Sequence, residues 1–345
     1  MKAQHNNYKK NFFRVITPIS LLTPINVLNK ITTQKIIFPF YHVVSDQYLP
    51  HIAHLYTPLT VSRFTHDLDF LLKHFEPISV QDVYQHTINN TIPRKPSFLL
   101  SFDDGLSEVY TVIYPILQKK GIPAVVFVNT SFIDNKDLFY RFKISLIYES
   151  ILQQLALNRL IFALLKDNNI SGENVFSSLM NISYEQRIVL NKILPVCDID
   201  VNQYLQVHQP YLTTTQLLEL SKHDFVIGAH GVDHPEFSSL STEEKLFQLE
   251  QSVNEVKEQF SPPLKLFAYP FTDNGLSAEW FYLIEKKKLV DLSFGGAGMY
   301  KDIIKSHLQR IPMEKNYVHS AKEVITKEYL YYFSKKIIGK GHVKR

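Results

Sequence analysis

Cysteine is nearly missing from this chain. Cys197 stands alone among 345 residues, so no disulfide can form within it and nothing argues for an oxidising compartment. Charge of one sign is not in excess either: 37 basic residues face 33 acidic ones, and the net +4, spread along the chain, leaves no nucleic-acid footprint. No apolar run is long enough to span a bilayer. The stretch from Asn11 to Pro24 has a superficial likeness to a secretory leader, but Arg14, Pro18 and Pro24 interrupt it and no small-residue cleavage site follows. The expectation is a cytoplasmic protein, with the inner face of the membrane as a further address.

What is present is ordinary globular material, 45% hydrophobic and 20% charged, enough for a large α/β core. The chain is organised around Pro96-Ser97-Phe98-Leu99-Leu100-Ser101-Phe102-Asp103-Asp104-Gly105, an apolar run that ends in two adjacent carboxylates. The run reads as a strand buried on both faces. Two acids in a row at a strand end point in different directions, so one can hold a metal while the other moves a proton. The plain alternative makes Asp104 the cap of a helix over Leu106 to Lys119.

Strands are predicted at 35–41, 97–102, 124–128, 224–229, 264–269, 290–294 and 308–311. Helices are predicted at 61–75, 80–86, 106–119, 214–221, 277–288 and 321–337, and Ser241-Thr242-Glu243-Glu244 is a capping box opening another that runs to Phe260. Seven strands, mostly followed by helices, predict an α/β fold, a deformed barrel of seven βα units. The expected organisation is one domain with its core at about 36–315. From 138 to 213 the rhythm gives way to a helical insertion or lid, and residues 321–345 form a C-terminal helix and a basic tail. That tail follows the aromatic Tyr329 to Phe333 and could touch an anionic membrane surface, although a solvated tail is the simpler expectation.

Polar residues fall just after the predicted strand ends: His42, Asp103, Asp104, His230, His234 and the Tyr269-Pro270-Phe271 turn. Barrel enzymes build their sites at that rim. His230 and His234 lie four apart, but Gly231 and Pro235 place them on a tight loop rather than a helix. Two imidazoles and one carboxylate, with an open position for water, suit catalytic zinc. Zinc would acidify water and polarise a carbonyl, the other carboxylate would take the proton, and the reaction is amide or ester hydrolysis. A leaving amine needs an acid, and His42 is the other histidine directly after a predicted strand. Solvated loop positions are the safer expectation for His51, His54 and Tyr56, rim packing for Tyr269, and core for the lone Trp280.

Ser101-Phe102-Asp103-Asp104-Gly105 together with His230-Gly231-Val232-Asp233-His234 resembles the polysaccharide deacetylases of carbohydrate esterase family 4, the NodB-homology fold, a barrel related to the TIM barrel. The similarity runs over most of 36–315 and includes Tyr41-His42, Phe267-Ala268-Tyr269-Pro270-Phe271 and Leu308-Gln309-Arg310-Ile311. It implies that Asp103 is the base, that Asp104, His230 and His234 hold a divalent metal, and that the Phe271 N–H is an oxyanion donor. Three departures stand out. The usual late acid histidine is missing, and the early His42 resembles the order found in biofilm poly-N-acetylglucosamine deacetylases. Gly231 replaces a hydroxyl residue that would brace the loop. The arginine expected before Pro-Tyr is absent at Ala268-Tyr269-Pro270-Phe271, and Arg310 is the candidate to replace it, with a structural ion pair as the alternative. The implied activity is removal of N-acetyl groups from an N-acetylated sugar of a glycan or glycan precursor. An O-acetyl esterase or non-sugar amidase with the same site, or an inactive sugar-binding member, are the alternatives.

Overall fold

The computed structural model describes residues 2–32, 34–314, 320–337, 339, 341–343 and 345. Parallel strands Pro39–Tyr41, Leu100–Phe102, Ala124–Val128, Phe225–Ala229, Leu266–Ala268 and Leu292–Gly295 lie side by side in chain order. The two outermost strands, His307–Gln309 and Ile311–Pro312, are successive pieces of one segment. The first pairs with Leu292–Gly295 and the second with Pro39–Tyr41, so that segment closes the sheet into a seven-staved barrel among the described residues. Its break is Arg310, whose N–H bonds Gly295 O at 3.2 Å while the next N–H, of Ile311, bonds Phe38 O at 2.8 Å. The expected seven βα units are therefore present. A short parallel sheet of Ile36–Ile37, Ser97–Phe98 and Glu76–Pro77 extends two staves below the barrel.

Why the strands read as continuous apolar runs is visible in their alternation. Val125 and Phe127 face one cluster with Val226, Leu266 and Phe294 inside the barrel. Ala124, Val126 and Val128 face another, under the outer helices, with Ile227 and Phe267. Gly228 is required where it stands: a Cβ there would come within 2.6 Å of the Phe127 ring and 3.1 Å of Leu266.

The capping box opens Thr242–Phe260 as expected, Ser241 Oγ accepting from Glu244 N (3.2 Å) and Glu244 Oε2 from Ser241 N (2.8 Å). The helix expected over 106–119 is different. It begins as turns, passes through a wide π-type turn at Val109–Ile113 and becomes α-helical only at Tyr114–Lys120. Between 140 and 208 the chain is helical, with Tyr140–Gln153, Ala156–Asp167 and Val201–His208 around an apolar cluster of their own.

The two ends of the described chain lie together. Helices Lys2–Val15, Thr17–Leu22 and Ile25–Ile31 form from the leader-like stretch and pack beside Ala321–Ile337. The described cations of the C-terminal tail divide: Lys336 is exposed, as expected of a solvated tail, whereas Lys335 is buried and Arg345 reaches inward to Asp273 and Asp302 at 2.5 Å each. Lys340 and Lys344 of that tail lie outside the described residues. Among the described residues no helix is long and apolar enough to cross a membrane.

Candidate active site

The strand ends bring the rim residues together. Asp103 and Asp104 follow Leu100–Phe102; the Asp103 N–H bonds Tyr41 O (3.0 Å), while Asp104 turns into left-handed backbone at φ 72°. That conformation rules out the capping alternative, because a helix cap is extended. Gly105 follows at φ 65° against Val128, where a Cβ would meet Cγ1 at 3.0 Å. The sharp turn aims Asp104 across the barrel mouth at the loop after Phe225–Ala229.

On that loop His230 and His234 present Nε2 at 3.5 and 3.1 Å from Asp104 Oδ1. The donor atoms of the three residues lie within 4.8 Å of one another. His230 Nδ1 lies 2.8 Å from Ala268 O. A carbonyl only accepts, so Nδ1 carries the proton and Nε2 offers its lone pair. Asp104 Oδ1 is buried with no hydrogen-bond partner. The His230 Nε2 lone pair and the Asp104 oxygen repel one another unless a cation sits between them, and with His234 Nε2 beside them this set fits a divalent metal. Burial opposes Asp104's charge, but His234 and His230 outweigh it and hold the carboxyl well below the usual range. Burial pushes the His234 imidazole down toward the neutral form, against the pull of Asp104.

The histidine loop is braced from two sides. Gln248 Oε1 accepts from Val232 N (2.8 Å), and Gln248 Nε2 donates to Asp233 Oδ1 (2.7 Å). From the helical segment, Tyr184 Oη lies 2.7 Å from both oxygens of Asp233. These bonds hold the loop where Gly231 offers no hydroxyl. His234, at φ 62°, is wedged between the rings of Phe139 (4.5 Å) and Phe271 (4.6 Å).

Arg310 pairs with Asp103. Its Nη1 and Nη2 donate to Asp103 Oδ1 and Oδ2 at 2.6 and 2.7 Å, and Nη1 also reaches Ser101 Oγ (3.1 Å). The guanidinium stacks over Phe40 at 4.3 Å. Burial raises the Asp103 carboxyl, yet Arg310 and then His230 more than offset it, leaving the group lowered and ionised.

His42 lies beyond Pro39–Tyr41, within reach of the fields of Asp103 and Asp104, and is part-exposed at 31%. Its partner, which the sequence reading missed, is Glu314. Glu314 Oε2 meets His42 Nδ1 at 2.5 Å, and Oε1 accepts the N–H groups of His42 (2.8 Å) and Val43 (2.9 Å). Burial pulls the imidazole down, but Glu314 prevails and raises it to about 10. Glu314 stands two residues past the last stave; the rule that picked His42, a polar residue just beyond a strand, applied there would have found it.

Phe271 occupies a tight turn at φ 56°, with Thr272 N on Pro270 O (2.6 Å). No acceptor among the described residues takes its N–H. Its ring is half-exposed at the mouth of the site. Asp104, His234 and Phe271 thus all adopt strained left-handed backbone, which clusters at functional sites. Trp280 is core, donating to Tyr269 Oη at 2.8 Å.

The loop after His42 is packed rather than solvated. His51 is buried with Nδ1 2.8 Å from Tyr204 Oη, His54 Nε2 is 2.6 Å from Glu149, and the Tyr56 hydroxyl is buried without a partner. A second donor group, Asp273, Asp302 and His307, sits beside Tyr269, but the Arg345 guanidinium already supplies its positive charge.

Residues 90–280, more than half of the chain, match the family described as polysaccharide deacetylase. No curated protein sequence matches the chain. Among solved structures, the Streptococcus pyogenes deacetylase PplD in complex with acetate is 17% identical at TM-score 0.55, covering 86% of this chain and 99% of its own. IcaB from Ammonifex degensii is 15% identical at TM-score 0.52, covering 85% and 97%. A de-N-acetylase from Aggregatibacter actinomycetemcomitans is 15% identical at TM-score 0.51, covering 82% and 97%. At these identities the likeness is one of fold.

Proposed function

The chain belongs to the polysaccharide deacetylase family, and from that premise we propose that it is a divalent-metal hydrolase that removes the N-acetyl group from an N-acetylated sugar of a glycan or glycan precursor, releasing acetate. The observation that carries this reading is the buried, partnerless Asp104 oxygen facing two imidazole nitrogens beside an arginine-held Asp103. Asp104, His230 and His234 would hold the cation, and two nitrogen donors with one oxygen favour zinc. Bound there, it would supply Lewis acidity, making the attacking water more acidic and the acetyl carbonyl more electrophilic.

The chain's own groups do the rest. Asp103, kept ionised and oriented by Arg310, accepts the proton of the attacking water. The Phe271 N–H donates to the oxyanion. His42, kept protonated by Glu314, gives its proton to the departing sugar amine, and Glu314 holds the ring for that transfer. The half-exposed Phe271 ring and the 138–213 helical segment, which supplies Phe139 and Tyr184, flank the site and would shape what sugar enters.

The test is to incubate metal-loaded and chelator-stripped protein with a panel of N-acetylated oligosaccharides and nucleotide-linked sugars, and to assay acetate and free amine together. Equal amounts of both, only from loaded protein, are expected. Acetate without amine from O-acetylated counterparts of the panel, with none from its N-acetylated members, would make the enzyme an O-acetyl esterase, and no release from any substrate would reject catalysis.

A further inference from the structure

The N-terminal helices pack on the outer core but hold none of the site residues. Lys2–Val15, Thr17–Leu22 and Ile25–Ile31 lie along Ala321–Ile337, held by Phe13 against Tyr331 at 5.9 Å and by Lys9 Nζ on Glu328 at 2.9 Å. Phe13, Ile25 and Leu28 are buried in that contact. The opposite side is apolar as well. Val15, Ile19 and Leu22 are 80%, 57% and 85% exposed, and Val27 and Ile31 are 50% and 59% exposed. Ile16 N on Phe12 O (3.0 Å) and Ser20 N on Ile16 O (2.9 Å) carry helical bonding across the first join. Residues 15, 19 and 22 therefore fall on one face, and 27 and 31 share a face of the next helix. A helix apolar on both sides is one that is normally buried on both sides.

Charge identifies the cover. Residues 1–45 hold six lysines and arginines and no acid at all. On the neighbouring helix, Glu323 and Glu328 are buried against Lys327 and Lys9, so neither presents its charge outward. Arg14 and Lys30 are exposed on the same helices as the stripe. We propose that this face docks on an anionic lipid bilayer, with Val15, Ile19, Leu22, Val27 and Ile31 entering the interface and the cations meeting the headgroups. Membrane contact thereby belongs to the N-terminal helices; in the C-terminal tail Lys335 is buried and Arg345 points inward, which leaves Lys336 as the exposed cation among its described lysines and arginines. Because these helices contribute nothing to the site, the proposal stands or falls separately from the catalytic one.

The experiment is co-sedimentation of the full chain with phosphatidylglycerol and with phosphatidylcholine vesicles, at low and high salt. Binding to phosphatidylglycerol should exceed that to phosphatidylcholine by about tenfold or more and weaken with salt. Ile19→Asp combined with Leu22→Asp should lower it by about tenfold or more, with an unchanged melting temperature. Arg14→Gln with Lys30→Gln should flatten the salt dependence. Should an aspartate variant misfold, hydrogen exchange of the unmodified protein decides: vesicles must protect residues 9–31. No partition into phosphatidylglycerol, or partition insensitive to the aspartates, overturns the proposal. So does a solution dimer broken by the same aspartates without lipid binding, which would assign the face to a second copy.

Discussion

Arg310 grips Asp103 through two parallel hydrogen bonds, of 2.6 and 2.7 Å, with both side chains sealed from solvent and 207 residues apart in the chain. Arg310→Ala would strand a buried carboxylate, at a cost of about 3–5 kcal/mol in stability. Asp103 is held low, so its charge stabilises the fold at every pH above the ordinary aspartate value of about 3.9, and that contribution is lost only as pH falls through the lower folded value. Without the guanidinium the acidic limb of kcat/KM should move to higher pH. Arg310→Lys, which cannot make both bonds, should recover charge but not geometry, leaving activity about 10²-fold down. Urea melts and pH–rate profiles of both variants measure this.

Asp103→Asn should abolish turnover while the cation stays bound, since the amide cannot accept a proton at neutral pH. His230→Ala should lose the cation itself. Bound metal counted after gel filtration, beside acetate release, separates the two roles. Near-full turnover by Asp103→Asn would remove it as the base.

Glu314 lifts His42 to about 10, so the imidazole is protonated at neutral pH, and its contribution to stability is full below the ordinary value of about 6.5 and fades as pH rises toward 10. Glu314→Gln should bring the basic limb of the activity profile down by several pH units, with metal content unchanged. His42→Ala should remove that limb altogether. An unchanged profile in either variant would dismiss His42 as the acid.

Tyr184 touches no donor atom of the cation group, yet it holds Asp233 between the two histidines. Tyr184→Phe should weaken zinc binding by roughly 10–100-fold, as the loss of an outer partner does at other metal sites. Competition with a fluorescent chelator reads this directly, without reference to catalysis.

Much of the molecule was legible from pattern. Val125 to Val128 and Phe225 to Ala229 announce staves because both faces are buried, and the site residues announce themselves as polar residues at stave ends. The loop assignment of His230 to His234 followed from Gly231 and Pro235. Other features left no local trace. The irregular start of the helix after Asp104 follows from two consecutive left-handed residues, where sequence periodicity sees only a helical face. Tyr184 and Arg345 act through contacts across the fold, and spacing along the chain carries no sign of them. The packing of His51 and His54 likewise depends on the helix Tyr140–Gln153 laid over their loop, with Ser145 Oγ bonded to Pro50 O at 2.6 Å.

The final stave is shared between both open edges of the sheet, and the residue at its break is the one that neutralises Asp103. A polypeptide that has not yet delivered residues 307–312 therefore has an unsealed wall and a lone acid facing inward. Competence for chemistry arrives in a single step, when one short segment zips both seams at once.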